Sequence, residues 1–313
     1  MSFNKADYLG SVIETHKMKH IDDLFDKFKE KRKEIKEKLE GKYEEKIYSP
    51  FNSGSYAKHT AINSKFDLDL AVPFKRNSFS TIEEMFNDVY DFLYEEYKDV
   101  ATVRKQKVSI GIEFFSDNDG DVIQIDVVPG RELSKDDYPK EHYLNININT
   151  YDGNYTQTNI HAQIDNIKGK QDERQIIRLL KIWKYQKNKD FKSFFMELIV
   201  IKAFDNKIVS GNLWEKLKIV LEYIKDEITK ENFTLKDPGN TSNDIAKTLD
   251  SYQKNSLKND FQNILDNVEL NEENLKNYFK ENEKYKIVET ESKNSYRINN
   301  SSSAIIPPSN QFG

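Results

Sequence analysis

The chain has 313 residues, 37% hydrophobic and 32% charged, with a net charge of −5 and no cysteine, enough for one large domain or two ordinary ones sharing a cleft. Without thiols there are no disulfides, thiolate zinc sites or cysteine nucleophiles, and the five histidines show no HExxH-like spacing, so any metal here is a hard cation on carboxylate oxygens. The acidic balance argues against constitutive binding to long duplex nucleic acid; the longest apolar run, FFMELIVIKAF, is broken by Glu197 and Lys202 and too short for a bilayer; and MSFNKADYLG lacks a signal pattern, so the expectation is a cytoplasmic protein with no membrane contact.

Residues 5–46 read as helical. Ile21, Leu24, Phe25, Phe28, Ile35 and Leu39 recur at spacings of three, four and seven, a stripe that packs while mixed-sign charges face solvent. Residues 47–53 predict a short strand, SYAKHTAI a helical turn after Gly54, and FDLDLAVPF (66–74) a strand by its alternation. Residues 81–97 predict an amphipathic helix burying Ile82, Met85, Phe86, Val89, Phe92, Leu93 and Tyr97. KVSIGIEFF and DVIQIDVVP flank the turn cluster SDNDG, so 107–129 predicts a β-hairpin, and YLNININT (143–150) a further strand. The character then changes, with helices expected over 172–188, 192–206, 212–230, 243–267 and 272–284. The expected division is an α/β half with a long N-terminal helix (1–157), a helical half (158–298) and a mobile Ser-, Asn- and Pro-rich tail (299–313).

Side chains alternate across a strand, so Asp67, Asp69 and Ala71 share one face while Phe66, Leu68, Leu70 and Val72 enter a core. In the second hairpin strand Ile123, Ile125 and Val127 point one way; Val122, Gln124, Asp126 and Val128 point the other. If the two strands are neighbours, three carboxylates converge. Bare carboxylates that close repel, and one tends to take up a proton. A divalent cation removes that cost: three aspartates suit two Mg²⁺ ions about 3.5–4 Å apart that bridge a triphosphate and activate a hydroxyl for in-line attack. Upstream, Gly54 lets the backbone approach a phosphate closely, and Ser55 adds a hydroxyl donor. The plain structural alternative puts Asp67 and Asp69 on the solvent side of an edge strand and reads Gly-Ser as ordinary loop chemistry.

Gly54-Ser55, Asp67-x-Asp69 and Asp126 on a later strand resemble the polymerase-β-type nucleotidyltransferase signature. RQIIRLLKIWKYQ, FKSFFMELIVIKAF and DPGNTSNDIA narrow the resemblance to the cGAS/DncV-like nucleotidyltransferases, especially their bacterial branch, over nearly the whole chain. The resemblance implies an α+β fold: a polymerase-β-like α/β core with a mixed sheet, plus a C-terminal helical domain, and an active site in the cleft between them. It implies that Asp67, Asp69 and Asp126 bind two Mg²⁺ ions, Mn²⁺ substituting, with Asp126 assisting deprotonation of an acceptor hydroxyl. Gly54 and Ser55 would hold the donor triphosphate, and Lys181 and Ser193 would reach the same phosphates. Phe194 falls where relatives carry a tyrosine that stacks on the donor base. Each of these last three has a structural alternative. Lys181 shares a helix with Arg174, Arg178, Lys184 and Lys187 and reads equally as part of a solvated basic face. Ser193 reads as a helix cap, and Phe194 as core beside Phe195, Leu198 and Ile199. Trp183 reads as core, and Asn243 in DPGNTSND as an N-cap.

The activity implied is that of an enzyme joining nucleoside triphosphates into a cyclic di- or trinucleotide second messenger of bacterial antiphage (CBASS) signalling. The alternative is an RNA- or tRNA-end nucleotidyltransferase that adds nucleotides to an RNA acceptor. Some bacterial members are coupled through their C-terminal residue to targets by an associated ubiquitin-transfer-like protein, and a tail ending in Gly313 suits that chemistry. The zinc-bound thumb of animal cGAS has no thiols to form from here, so no double-stranded DNA activator is expected.

Overall fold

The alternation around Asp67 and Asp126 matters only if their strands touch, and the topology decides that. The computed structural model describes residues 3–149 and 154–286. The tail expected at 299–313, with Gly313, lies outside the described residues. Two helices, α1 (Lys5–Thr15) and α2 (Asp22–Tyr43), lead into β1 (Phe51–Ser53), the single turn α3 (Gly54–Ala57), β2 (Leu68–Phe74) and α4 (Ile82–Tyr97). Next come β3 (Ala101–Lys105), β4 (Ile110–Phe114), β5 (Gln124–Glu132), α5 (Tyr138–Glu141), β6 (Leu144–Ile148) and β7 (Asn154–Thr158). The second half holds α6 (Ile160–Asp165), α7 (Gln171–Gln186), α8 (Ser193–Asn206), α9 (Leu213–Glu227), the small ribbon β8 (Lys236–Asp237) and β9 (Asn240–Asp244), and α10 (Ser251–Leu270).

Seven strands form one mixed sheet in the order β1-β2-β5-β4-β3, and β6 joins β5 to β7. β2 and β5 run parallel and the other pairs antiparallel. The alternating strands bury Leu68, Leu70, Val72, Ile125 and Val127 under α2 and α4, in one core with Phe25, Phe28, Ile35 and Leu39. A second core joins α7, α8, α9 and α10 around Trp183, Phe195 and Phe261. Helix α4 begins at a capping box in which Thr81 and Glu84 satisfy each other's backbone N–H groups.

Four expectations need correction. The helix expected over 5–46 is broken at residues 16–21, because its two ends serve different cores: Leu9, Val12 and Ile13 of α1 pack with the second. The freed carbonyls at the break are met by Asn63, whose Nδ2 donates to Thr15 O and Lys17 O at 3.0 Å each. The helix expected at 243–267 starts only at Ser251, capped by Asp250. Asn243 is therefore no N-cap; it lies in β9, in a ribbon whose turn is Pro238-Gly239. Residues 272–284 hold 3₁₀ turns rather than an α-helix. Strands β3 and β7 were not expected: both are polar on one side, and β7 draws its order from pairing with β6.

Candidate active site

Parallel pairing sets Asp69 of β2 directly beside Asp126 of β5, so the two carboxylates leave the same face of the sheet. Asp67 precedes β2 by one residue and shares that face by alternation. The opposite face carries the apolar core under α2 and α4. Burial and then the charges of Asp67 and Asp126 push the Asp69 carboxyl up to about 7. Burial and Asp67 likewise raise Asp126 to about 6, against a lowering pull from its hydrogen bond with Gln106.

Gly54 closes the site from the other side. Its φ is +63°, and a Cβ at this position would stand 1.6 Å from Asp69 Oδ2. Both the left-handed backbone and the contact demand glycine. The register of β1 explains the closeness, because Ser53 pairs with Asp69.

A cleft of about 400 Å³ opens beside this turn. Six of the eight residues singled out in the sequence line it: Gly54, Ser55, Asp67, Lys181, Ser193 and Phe194. Asp69 and Asp126 adjoin it through Gly54 and the β2–β5 pairing. Walls come from both halves of the chain, α3 with its following loop on one side and α7 and α8 on the other.

Lys181 does not sit on a solvated face. It is buried, and its Nζ donates to Thr60 O and Thr60 Oγ1 at 3.0 Å each. Burial lowers its pKa to about 8, with Glu197 pulling the other way and Lys58 reinforcing the fall. Ser193 opens α8, but the cap position belongs to Lys192 and no side-chain cap bond forms there. Phe194 is only partly buried; it touches the second core and also lines the cleft. Trp183 is core, as its position in the apolar stripe requires.

Three functional candidates escaped the sequence reading. Lys58, four residues after Gly54, is buried and forms an ion pair with Glu197 of α8 at 2.9 Å, its ammonium 4.3 Å from the centre of the Phe194 ring. Glu197 did leave a trace, as a charge inside an otherwise apolar run. Gln106 donates from Nε2 to Asp126 Oδ1 at 3.1 Å, and nothing in its sequence neighbourhood announces that.

Asp67, Asp69 and Asp126 offer hard oxygen ligands, and neither Asp67 nor Asp69 accepts a side-chain hydrogen bond among the described residues, so the excess charge there fits divalent cations. Yet the three are not a tight cage. Among the described residues, the acidic trio whose carboxylate oxygens all lie within 4.8 Å of one another is Asp117, Asp119 and Asp121 in the β4–β5 turn. Lys27 Nζ occupies its centre, 2.6–2.7 Å from all three.

Comparison with known proteins identifies the family. Residues 17–170 match the family described as Second Messenger Oligonucleotide or Dinucleotide Synthetase domain. The chain is 28% identical over 232 residues to a cyclic AMP-AMP-AMP synthase of Escherichia coli strain MS 115-1, covering 68% of each protein. It is 26% identical over 212 residues to a CBASS oligonucleotide cyclase CdnC of E. coli strain KTE188, covering 64% of this chain and 65% of that one. The chain is a cGAS/DncV-like nucleotidyltransferase. Solved structures place this nucleotidyltransferase in the same fold. CdnG of Bradyrhizobium diazoefficiens, solved with GTP, superposes with a TM-score of 0.68 at 14% identity over 89% of this chain and 95% of that one. E. coli MS115-1 CdnC, solved with ATP, gives 0.60 at 22% identity over 78% and 85%. That CdnC has also been solved in complex with a HORMA protein. Among the described residues no helix is long and apolar enough to cross a membrane.

Proposed function

We propose that this nucleotidyltransferase joins nucleoside triphosphates into a cyclic di- or trinucleotide that serves antiphage signalling. The observation that carries the reading is the meeting of three strand-borne carboxylates and a glycine turn at a cleft that also holds buried lysines. Asp67, Asp69 and Asp126 would hold two Mg²⁺ ions, or Mn²⁺ in their place. When bound, such ions polarise the α-phosphate and stabilise the departing pyrophosphate.

The chain's own residues do the rest. Gly54 lets the donor triphosphate approach the backbone, and the Ser55 hydroxyl donates to it. Lys181 releases Thr60 and turns its ammonium to the phosphates, joined by Ser193. Phe194 offers a ring face to the donor base. Asp126 accepts the proton of the attacking ribose hydroxyl as the O–Pα bond forms and the bond to pyrophosphate breaks. The linear product then turns over within the same cleft, and its free hydroxyl closes the ring.

Purified protein incubated with Mg²⁺ or Mn²⁺ and labelled nucleoside triphosphates should yield a phosphatase-resistant product, with ring size and bases read by mass spectrometry. Asp67→Ala and Asp69→Ala should abolish it. Elongation of a labelled RNA primer, with no ring formed from free nucleotides, would overturn the reading in favour of an RNA-end nucleotidyltransferase.

A further inference from the structure

We propose that Gln106 is a positioning residue that sets the rotamer of Asp126, and that Gly111 exists to let it do so; this rests on the functional reading above. Gln106 follows β3 and starts the tight turn into β4. Its backbone N–H donates to Ser109 O at 2.8 Å. The Ser109 hydroxyl donates to Gln106 Oε1 at 2.8 Å, and that bond fixes which end of the amide faces the site. The other end, Nε2, donates to Asp126 Oδ1 at 3.1 Å. Ser109 is buried and Asp126 is 9% exposed, so the chain Ser109–Gln106–Asp126 runs where water competes poorly.

Gly111 supplies the path. It pairs with Asp126 across β4 and β5 and with Arg104 across β3 and β4. A Cβ at residue 111 would stand 2.4 Å from Gln106 Nε2 and 3.3 Å from Asp126 Oδ1. Gly111 has no positive φ, so its backbone does not ask for glycine. The amide lying over it does. A glycine inside a strand costs stability, and it is tolerated where another group must approach closely. Here that group is the amide holding Asp126 Oδ1. An acidic side chain anchored by a neutral donor keeps its charge and loses only its freedom to rotate.

Gln106→Ala and Gly111→Ala, singly and together, test the relay, with Asp126→Asn as reference. Circular dichroism and thermal melting check folding first. Each single change should lower kcat about 10–100-fold with the KM for nucleotide changed less than about threefold. The double variant should be no worse than the poorer single one, since both remove the same bond. Calorimetric titration of Mn²⁺ into protein carrying a nonhydrolysable ATP analogue should show affinity weakened about tenfold in Gln106→Ala. Wild-type kcat and Mn²⁺ affinity in Gln106→Ala, with Asp126→Asn inactive, would overturn this inference and leave the functional reading intact. Product formation by Asp126→Asn would instead overturn the assignment of Asp126 itself, and with it both readings. Multiplicative losses in the double variant would show two independent defects and overturn the relay.

Discussion

Two trios of aspartates lie in this molecule, and they are opposites. Asp117, Asp119 and Asp121 crowd together in an exposed turn, and Lys27 from α2 sits among them. Asp69 and Asp126 lie on two paired strands with Asp67 just before the first, they are more buried, and among the described residues they pair with no ammonium. By proximity alone the first trio is the better cage. Its centre, however, is taken: the Lys27 ammonium sits where a cation would, although it offsets only one of the three charges. In the second trio burial first, and then the neighbouring carboxylates, hold Asp69 up to about 7 and Asp126 up to about 6. Unpaired carboxylates on a rigid sheet, rather than closeness, are what the proposed metal site rests on.

The sharpest way to break this comparison is to neutralise one member of each trio. Asp69→Asn should reduce product formation at least about a thousandfold, measured by mass spectrometry with labelled triphosphates. Gly54→Ala should come next: the added Cβ displaces Asp69, and a misplacement on the order of 1 Å costs about a hundredfold in rate. Melting curves should show it less stable by about 1–2 kcal/mol from the left-handed backbone alone.

Lys58 and Glu197 sharpen the contrast with a charge pair that is buried and complete. Glu197→Gln should destabilise by about 3 kcal/mol in chemical denaturation, because it strands an ammonium in the interior. Replacing both, as Lys58→Met with Glu197→Leu, should recover much of that stability but not the activity.

The strand trio should also betray itself through pH in metal-free protein. Asp69 has a folded pKa near 7, above its ordinary value. The folded state therefore binds more protons than the unfolded one between about pH 4 and 7, and stability falls as pH rises through that window. The melting temperature with chelator present should drop across it, Asp69→Asn should flatten the drop, and Mg²⁺ with nucleotide should reverse it in the wild type. The smallest effect belongs to the turn: Asp119→Asn should leave activity within about twofold and the melting temperature within about 2 °C, since exposed ion pairs contribute little.

The strand trio was legible in the sequence because a strand's period of two assigns faces without further knowledge, and the Gly-Ser turn was legible because few residues tolerate its backbone. Lys181 was visible as a lysine but not as a buried one; the spacings of seven and three that place it beside Arg174 and Lys184 say nothing about what covers the helix. Gln106 was invisible, since its meaning arises only when β4 brings Gly111 beneath it. The break at residues 16–21 was missed for a related reason. Helical periodicity continues on both sides, and only the existence of two cores separates Val12 from Phe25. Asn243 misled because a cap residue before an apolar run looks the same in a ribbon.

That break has an architectural consequence. Since α1 belongs to the far core while α2 lies on the sheet, the polypeptide crosses between the lobes twice, the first time at the break itself. The second crossing follows β7. Asn282, from the end of the described chain, donates through its backbone to Thr15 Oγ1 and through Nδ2 to Asn63 Oδ1, both at 3.0 Å, which rivets the first crossing shut. A gene split after β7 would thus leave the sheet core whole but strip α1 from the helical core, and two crossings restrain the lobes against each other more than one would.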